Sequence, residues 1–338
     1  MAAAPPKAVY VMTNASSGNS ILVYSRATNG TLAQIQEIST QGLGSGGTAD
    51  PLGSQDALTL SGNGQFLLAV NAGSNQVTSF TVTSTGLKFA SIVSSGGTFP
   101  VSVAIHGGLA FVVNQSGTPN IASFRIASNG VLTPLSNTQD LPGGATSSPG
   151  DIKVTPDGKV ILVTEKGTNQ IDLFTPGGSA VSVPSNSMGP FGMAFGANAT
   201  LLVAEAPSSS VSSYSVVEGT PPSLQVITPS LGDMGGTSCW IVTSPTGDFA
   251  YVINSNTRNI SSYAVSSTGA LSVFSADAGN MGKLNGPIDA ALSHDGRFLY
   301  VLSSSTGLVM EFRVSNGTLT RIGDVTGIPV SLQGIAAW

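Results

Sequence analysis

The chain has 338 residues, 41% of them apolar, only 9% charged, with a net charge of -5 and 42 glycines. That length and apolar share support a large folded core and exclude disorder, and 12 Lys+Arg without a basic cluster lack the attraction on which nucleic-acid binding depends. No apolar run reaches the roughly 18 residues of a membrane span, the single Cys239 excludes an internal disulfide, and the charge-poor, Ser/Thr-rich composition favours an extracytoplasmic (periplasmic or secreted) monomer over a cytoplasmic one.

Along the chain one unit recurs: a proline or polar start, an alternating apolar strand, a D-G or N-G turn, and a second apolar strand ending in a polar residue. A polar loop and a third strand ending in an aromatic follow. Aligned on the end of the second strand, the copies fall at Thr13, Asn71, Asn114, Glu165, Glu205, Asn254 and Ser303, spaced 40 to 58 residues apart. A period of that size with four strands per copy is the pattern of a propeller blade. The predicted fold is all-β: a seven-bladed β-propeller of four antiparallel strands per blade, one domain over residues 1–338. The N-terminal copy lacks an inner strand and the chain ends on one, so blade one is predicted from about residues 7–40 plus 328–338, closing the ring.

The inner strands are predicted to start at Pro100, Pro149, Pro190, Pro287 and Pro329, where a first strand residue can spare its amide donor. Gln55-Asp56-Ala57 and Ser238-Cys239-Trp240 fill the other two places. Asn63-Gly64, Asp157-Gly158, Thr246-Gly247 and Asp295-Gly296 supply the turns to the second strands. The glycine-rich stretch over residues 42–47 has no following helix and no Lys, so it reads as a loop between blades rather than a phosphate cradle.

This alternation assigns strand starts, second-strand ends and interblade loops to one face, the top, and the D-G turns to the bottom. His106 and His294 fall in bottom turns, which removes a histidine triad or histidine-bound zinc from the top, and no G-x-S-x-G elbow exists. Glu165 and Glu205 end equivalent strands of neighbouring blades, and Asp151 lies at an inner-strand start beside Glu165. Three readings of these carboxylates stand: an acid–base pair in catalysis, ligands of a Ca²⁺ ion, or acceptors for loop amides. No other cofactor is implied. Asn71, Asn114 and Asn254 hold the Glu165 position in other blades, where their amides either orient a substrate carbonyl or staple loops. Asp289 is a further polar candidate. Met188, Met234 and Met281, with Phe191 and Trp240, either form an apolar rim for a small ligand or pack the loops down. Cys239 reads as a small buried hydrophobe, with a nucleophilic role as the rival.

The strand-start prolines, the run D-G-K-V-I-L-V-T-E-K-G-T-N-Q-I-D-L-F over residues 157–174 and the repeated x-x-G-x-L turn resemble the seven-bladed lactonase-like propellers, the family that includes 6-phosphogluconolactonase and carboxymuconate cyclase. The resemblance implies a hydrolase or cyclase acting on a small molecule at a top-face funnel, with Glu165 matching an acidic residue its members place after the second strand. The strand starts carry no His or Arg; Arg125 and Arg313 fall on third strands, Arg26 just beyond one, leaving Lys166, Arg258 and Lys283 as top-face cations. A phosphorylated substrate calls for bidentate Arg or clustered Lys, so the expected ligand is a neutral, partly apolar lactone or a related molecule. The alternative is a non-catalytic extracytoplasmic propeller binding a protein or glycan.

Overall fold

The computed structural model describes residues 6–135, 138–175, 179–232, 234–282 and 286–338. Seven antiparallel sheets form the seven blades. Helix is confined, among the described residues, to three short 3-10 turns. In blade one the order is Ile335–Ala337, Ala8–Met12, Ser20–Arg26, Leu32–Ser39. Val9 pairs with Ala337 and Val11 with Ile335, so the last strand of the chain completes the first blade and closes the ring. That strand is shorter than expected: Pro329 lies in the turn that leads to it.

Blades four to seven follow the predicted grammar most closely. Pro149–Val154, Pro190–Phe195 and Pro287–Leu292 each begin on the anticipated proline, and Ser238–Thr243 takes the same place in blade six. In blade three Leu132–Pro134 and Gln139–Asp140 both pair with the third strand, Asn120–Ile126. Blade two departs from its siblings. Its inner strand is only Leu58–Leu60, so Gln55-Asp56-Ala57 is not a strand start. The chain before it leaves the sheet altogether.

The core lies between blades. Each third strand carries one aromatic at the same register: Tyr24, Phe80, Phe124, Phe174, Tyr214, Tyr263 and Phe312, all buried. Alternation turns these rings towards the apolar strands of adjoining blades, and each buried ring stabilises the fold by roughly 1.5–3 kcal/mol. At the bottom, short polar side chains hold the hairpins. Thr155 Oγ1 donates to Asp157 Oδ1 at 2.6 Å, and Ser293 Oγ to Asp295 Oδ1 at 2.6 Å. Asp295 also meets Arg26 at 3.0 Å, and His294 stacks on Trp338 with ring centroids 4.0 Å apart, so these groups tie the closing blade to its neighbour.

Candidate functional site

The polar residues that end the second strands are buried and clamp loops. Asn71 Oδ1 accepts from Asn19 Nδ2 (3.0 Å) and Thr40 Oγ1 (2.6 Å), while its Nδ2 donates to Thr78 Oγ1. Asn114 Nδ2 donates to the Ser95 carbonyl and to Asn120 Oδ1, both at 3.0 Å. Asn254 accepts from Ser238 Oγ and donates to Ser261 Oγ. Glu165 and Glu205 do the same work with carboxylates. Glu165 accepts from the Gly143 amide at 3.0 Å and from Thr168 Oγ1. Gly143 is required there, since a Cβ would run into the Glu165 carboxylate. Glu205 takes Ser185 Oγ, the Ser187 amide, Ser212 Oγ and Ser210 Oγ at 2.8–3.1 Å, which fills its acceptor capacity.

Asn71, Asn114, Glu165 and Glu205 reach the loop arriving from the preceding blade, and Asn254 ties the inner strand to the third, so these residues shape the top face. They do not gather at one centre. The charged partner of Glu165 is Asp172 on the adjacent strand, whose carboxyl is raised by burial and by Glu165. Asp151 points elsewhere, towards the axis. Among the described residues, no three His, Cys, Asp or Glu side chains are arranged as metal ligands.

The axis is filled by residues 50–56. Ser54 and Gln55 are buried in the middle of the ring and bond to blade after blade. Ser54 Oγ donates to the Val101 carbonyl of blade three, and the Gln55 amide to the Gly150 carbonyl of blade four. Gln55 Nε2 donates to the Met193 carbonyl of blade five at 2.9 Å, and Gln55 Oε1 accepts the Ile241 amide of blade six at 2.9 Å. Trp240 Nε1 and Gln333 Nε2, the latter just before the closing strand, both donate to the Ser54 carbonyl. Asp50, Gly53 and Asp56 adopt left-handed backbone angles (φ 66°, 58° and 59°), which fold the segment into a plug. Phe191 and Trp240 are buried around it, edge to face with centroids 5.3 Å apart, and Met281 is buried too. Of the expected apolar rim only Met188 and Met234 are exposed.

At the upper end of the plug stand two ionisable groups that influence each other. Asp50 Oδ1 accepts from Gln333 Nε2 at 2.7 Å and from the Gly53 amide at 3.1 Å, and burial pushes its carboxyl up to about 6 against the pull of those bonds and of Lys166. Lys166 Nζ donates to the Gly53 and Pro149 carbonyls, lies 4.9 Å from the Phe191 ring centroid, and is pulled down to about 8 by burial, with Asp50 opposing. Burial likewise raises the Cys239 thiol to about 12, which makes it an inert hydrophobe beside this pair. Arg125 and Arg313 are exposed on third strands, Arg26 is buried near the bottom, and Lys283 lies outside the described residues.

Below the plug lies a second charged group. Asp151 Oδ1 accepts from Ser102 Oγ (3.1 Å) and its Oδ2 from the Met193 amide (2.9 Å), while Lys153 ion-pairs with Asp56 and stands 3.9 Å from Asp151. Asp289 completes the group from blade seven.

Fold, closure and repeat define a seven-bladed β-propeller. Residues 4–148 match the family model described as "Lactonase, 7-bladed beta-propeller". No curated protein matches the chain. Among solved structures it is similar to a Bacteroides uniformis protein provisionally named a 6-phosphogluconolactonase (TM-score 0.76, 20% identity, covering 97% of this chain and 99% of that one). It is similar also to the periplasmic gluconolactonase of Pseudomonas aeruginosa (0.75, 19%, 97% and 98%). A looser likeness joins it to virginiamycin B lyase of Staphylococcus aureus (0.59, 14%, 78% and 82%). No helix among the described residues is long and apolar enough to cross a membrane.

Proposed function

We propose that the protein is a lactonase-like hydrolase that opens a neutral small-molecule lactone on the top face, above the plug. The observation that carries this reading is the Asp50–Lys166 pair, a plug carboxylate raised to about 6 and a blade-four ammonium lowered to about 8 that bonds the same plug. Groups poised on either side of neutral pH are suited to general acid–base work. Asp50 takes a proton from water as the water oxygen attacks the lactone carbonyl carbon. Two of the three Lys166 N–H donors go to the Gly53 and Pro149 carbonyls, and the third meets the developing oxyanion. The ring C–O bond then breaks, the leaving oxygen takes up the proton, and a hydroxy acid departs.

The Asp50 carboxylate also argues for a neutral substrate, since it repels phosphate and carboxylate groups where Lys166 would attract them. Glu165, Glu205, Asn71, Asn114 and Asn254 serve this site by holding the loops around it. The exposed Met188 and Met234 offer the rim a flexible apolar contact. The names of the structural relatives, two of them lactonases, agree with this class of reaction without specifying the lactone.

The test is turnover of a panel of neutral γ- and δ-lactones by the wild type and by Asp50→Asn. Removing a general base lowers kcat/KM by about 10²–10⁴-fold, with the thermal midpoint preserved because Asn still accepts from Gln333. A variant as active as the wild type would exclude Asp50 from the reaction.

A further inference from the structure

The bottom end of the axis holds a separate bowl of about 270 Å³, lined in part by Gln55, Asp56, Lys153, Phe195, Ile241 and Leu292. The inner strands run from top to bottom, so Lys153, Phe195 and Leu292, at or near the ends of theirs, place this bowl on the face of the D-G turns. The plug separates it from Asp50 and Lys166. Its walls are largely apolar and its floor is charged.

That floor is short of positive charge. Among the described residues Asp56, Asp151 and Asp289 share a single cation, Lys153, and Asp50 adds its field from above. Lys153 is committed to Asp56 and stands 3.9 Å from Asp151. Asp289 is the odd member. It is 1% exposed, and among the described residues its Oδ1 accepts only its own neighbour's amide (Ala290, 2.9 Å) and its Oδ2 has no hydrogen-bond partner. Its backbone is held at φ 43°, an unfavourable angle for a residue with a side chain. Asp56, which lines the bowl, is the charge that acts on it most strongly, so the Asp289 carboxyl lies buried behind the same floor. A buried acceptor left open beside an ion pair, under an apolar collar, is a strained arrangement that a second cation relieves.

We propose that this bowl binds a small organic ammonium ion, with the ammonium at Asp56 over the Asp289 carboxylate and a short hydrocarbon tail against Phe195, Ile241 and Leu292. A bare metal ion would gain nothing from the collar, and an anion or neutral alcohol would gain nothing from the floor. On binding, Lys153 gives up its share of Asp56 and closes on Asp151. Burial favours the protonated forms of Asp151 and Asp289 when the bowl is empty. The added cation therefore drives one proton from this carboxyl set into solvent, and affinity rises with pH.

The experiment is calorimetric titration of the full chain with n-butylammonium chloride in phosphate buffer at pH 6, 7 and 8, with n-butanol and butyrate as controls. Wild type should bind the amine with a dissociation constant below about 1 mM at pH 8, at least threefold tighter per pH unit, and should bind neither control comparably. Asp56→Asn should weaken binding at least tenfold. The pH series and the controls use the wild type alone, so they decide the matter even if that variant fails to fold. Absence of binding, equal binding of butanol, a pH-independent affinity, an unaffected Asp56→Asn variant, or tighter binding of Ca²⁺ than of the amine would each overturn the proposal.

Discussion

Asp172 occupies a slot that sibling blades fill with hydroxyls: Thr78 accepts from Asn71, Ser261 accepts from Asn254, and Ser212 donates to Glu205. In blade four both partners are carboxyls. Burial and Glu165 raise Asp172 to about 8, and among the described residues its buried Oδ2 has no hydrogen-bond partner. The sign follows from linkage: the folded state favours protonated Asp172, so its contribution is whole below the ordinary carboxylate value near 4 and is lost as pH rises through about 8. Asp172→Asn puts a permanent donor beside Glu165 while its oxygen still accepts from Ser182 Oγ. The variant should melt about 2–4 °C above wild type at pH 8.5 and near it at pH 4.5, as scanning calorimetry would show. Equal gains at both pH values would contradict the assignment. The residues that end the second strands were legible as a repeated polar position. Loop stapling was one of the roles the sequence left open for them, but not which loop each one meets, because a one-dimensional pattern shows only that a side chain recurs at a strand end.

At the scale of the element, the plug over residues 50–56 decides what the top face is. The prolines and turn residues of blades four to seven placed their strands correctly, because a missing amide and a D-G turn constrain the backbone locally. Nothing local marks Gln55 as an axial residue, and its polar neighbours look like a strand start. One signal was present: the step from Thr13 to Asn71 is 58 residues against 40 to 51 elsewhere, and the surplus contains Asp50-Pro51 and Gly53, all turn formers. The plug then gains its order from bonds to five other blades, which only the closed ring supplies. Gln55→Leu would leave the Ile241 amide and the Met193 carbonyl without their partner. The expected cost is about 2–4 kcal/mol in chemical denaturation, together with a collapse of lactone turnover, since Asp50 and Lys166 rest on the same segment. An unchanged unfolding midpoint would show that the plug is not a structural latch.

At the scale of the whole molecule, the ring gives the axis two ends of different chemistry. The plug fills the axis with Asp50 and Lys166 at its upper end, while the bottom keeps an open bowl lined by Asp56, Lys153 and apolar side chains. The seven third-strand aromatics and the Val9–Ala337 pairing were readable from the period and the chain ends. The division of the axis was not, since it depends on side chains from blades far apart in sequence meeting at the centre. The claim about the top face is tested most directly by the pH dependence of kcat/KM for the neutral lactone that wild type hydrolyses best. Asp50 must be ionised and Lys166 protonated, so the profile should rise through about pH 6, crest, and fall above about pH 8. A profile flat across that range, or no hydrolysis of any neutral lactone, would contradict the account.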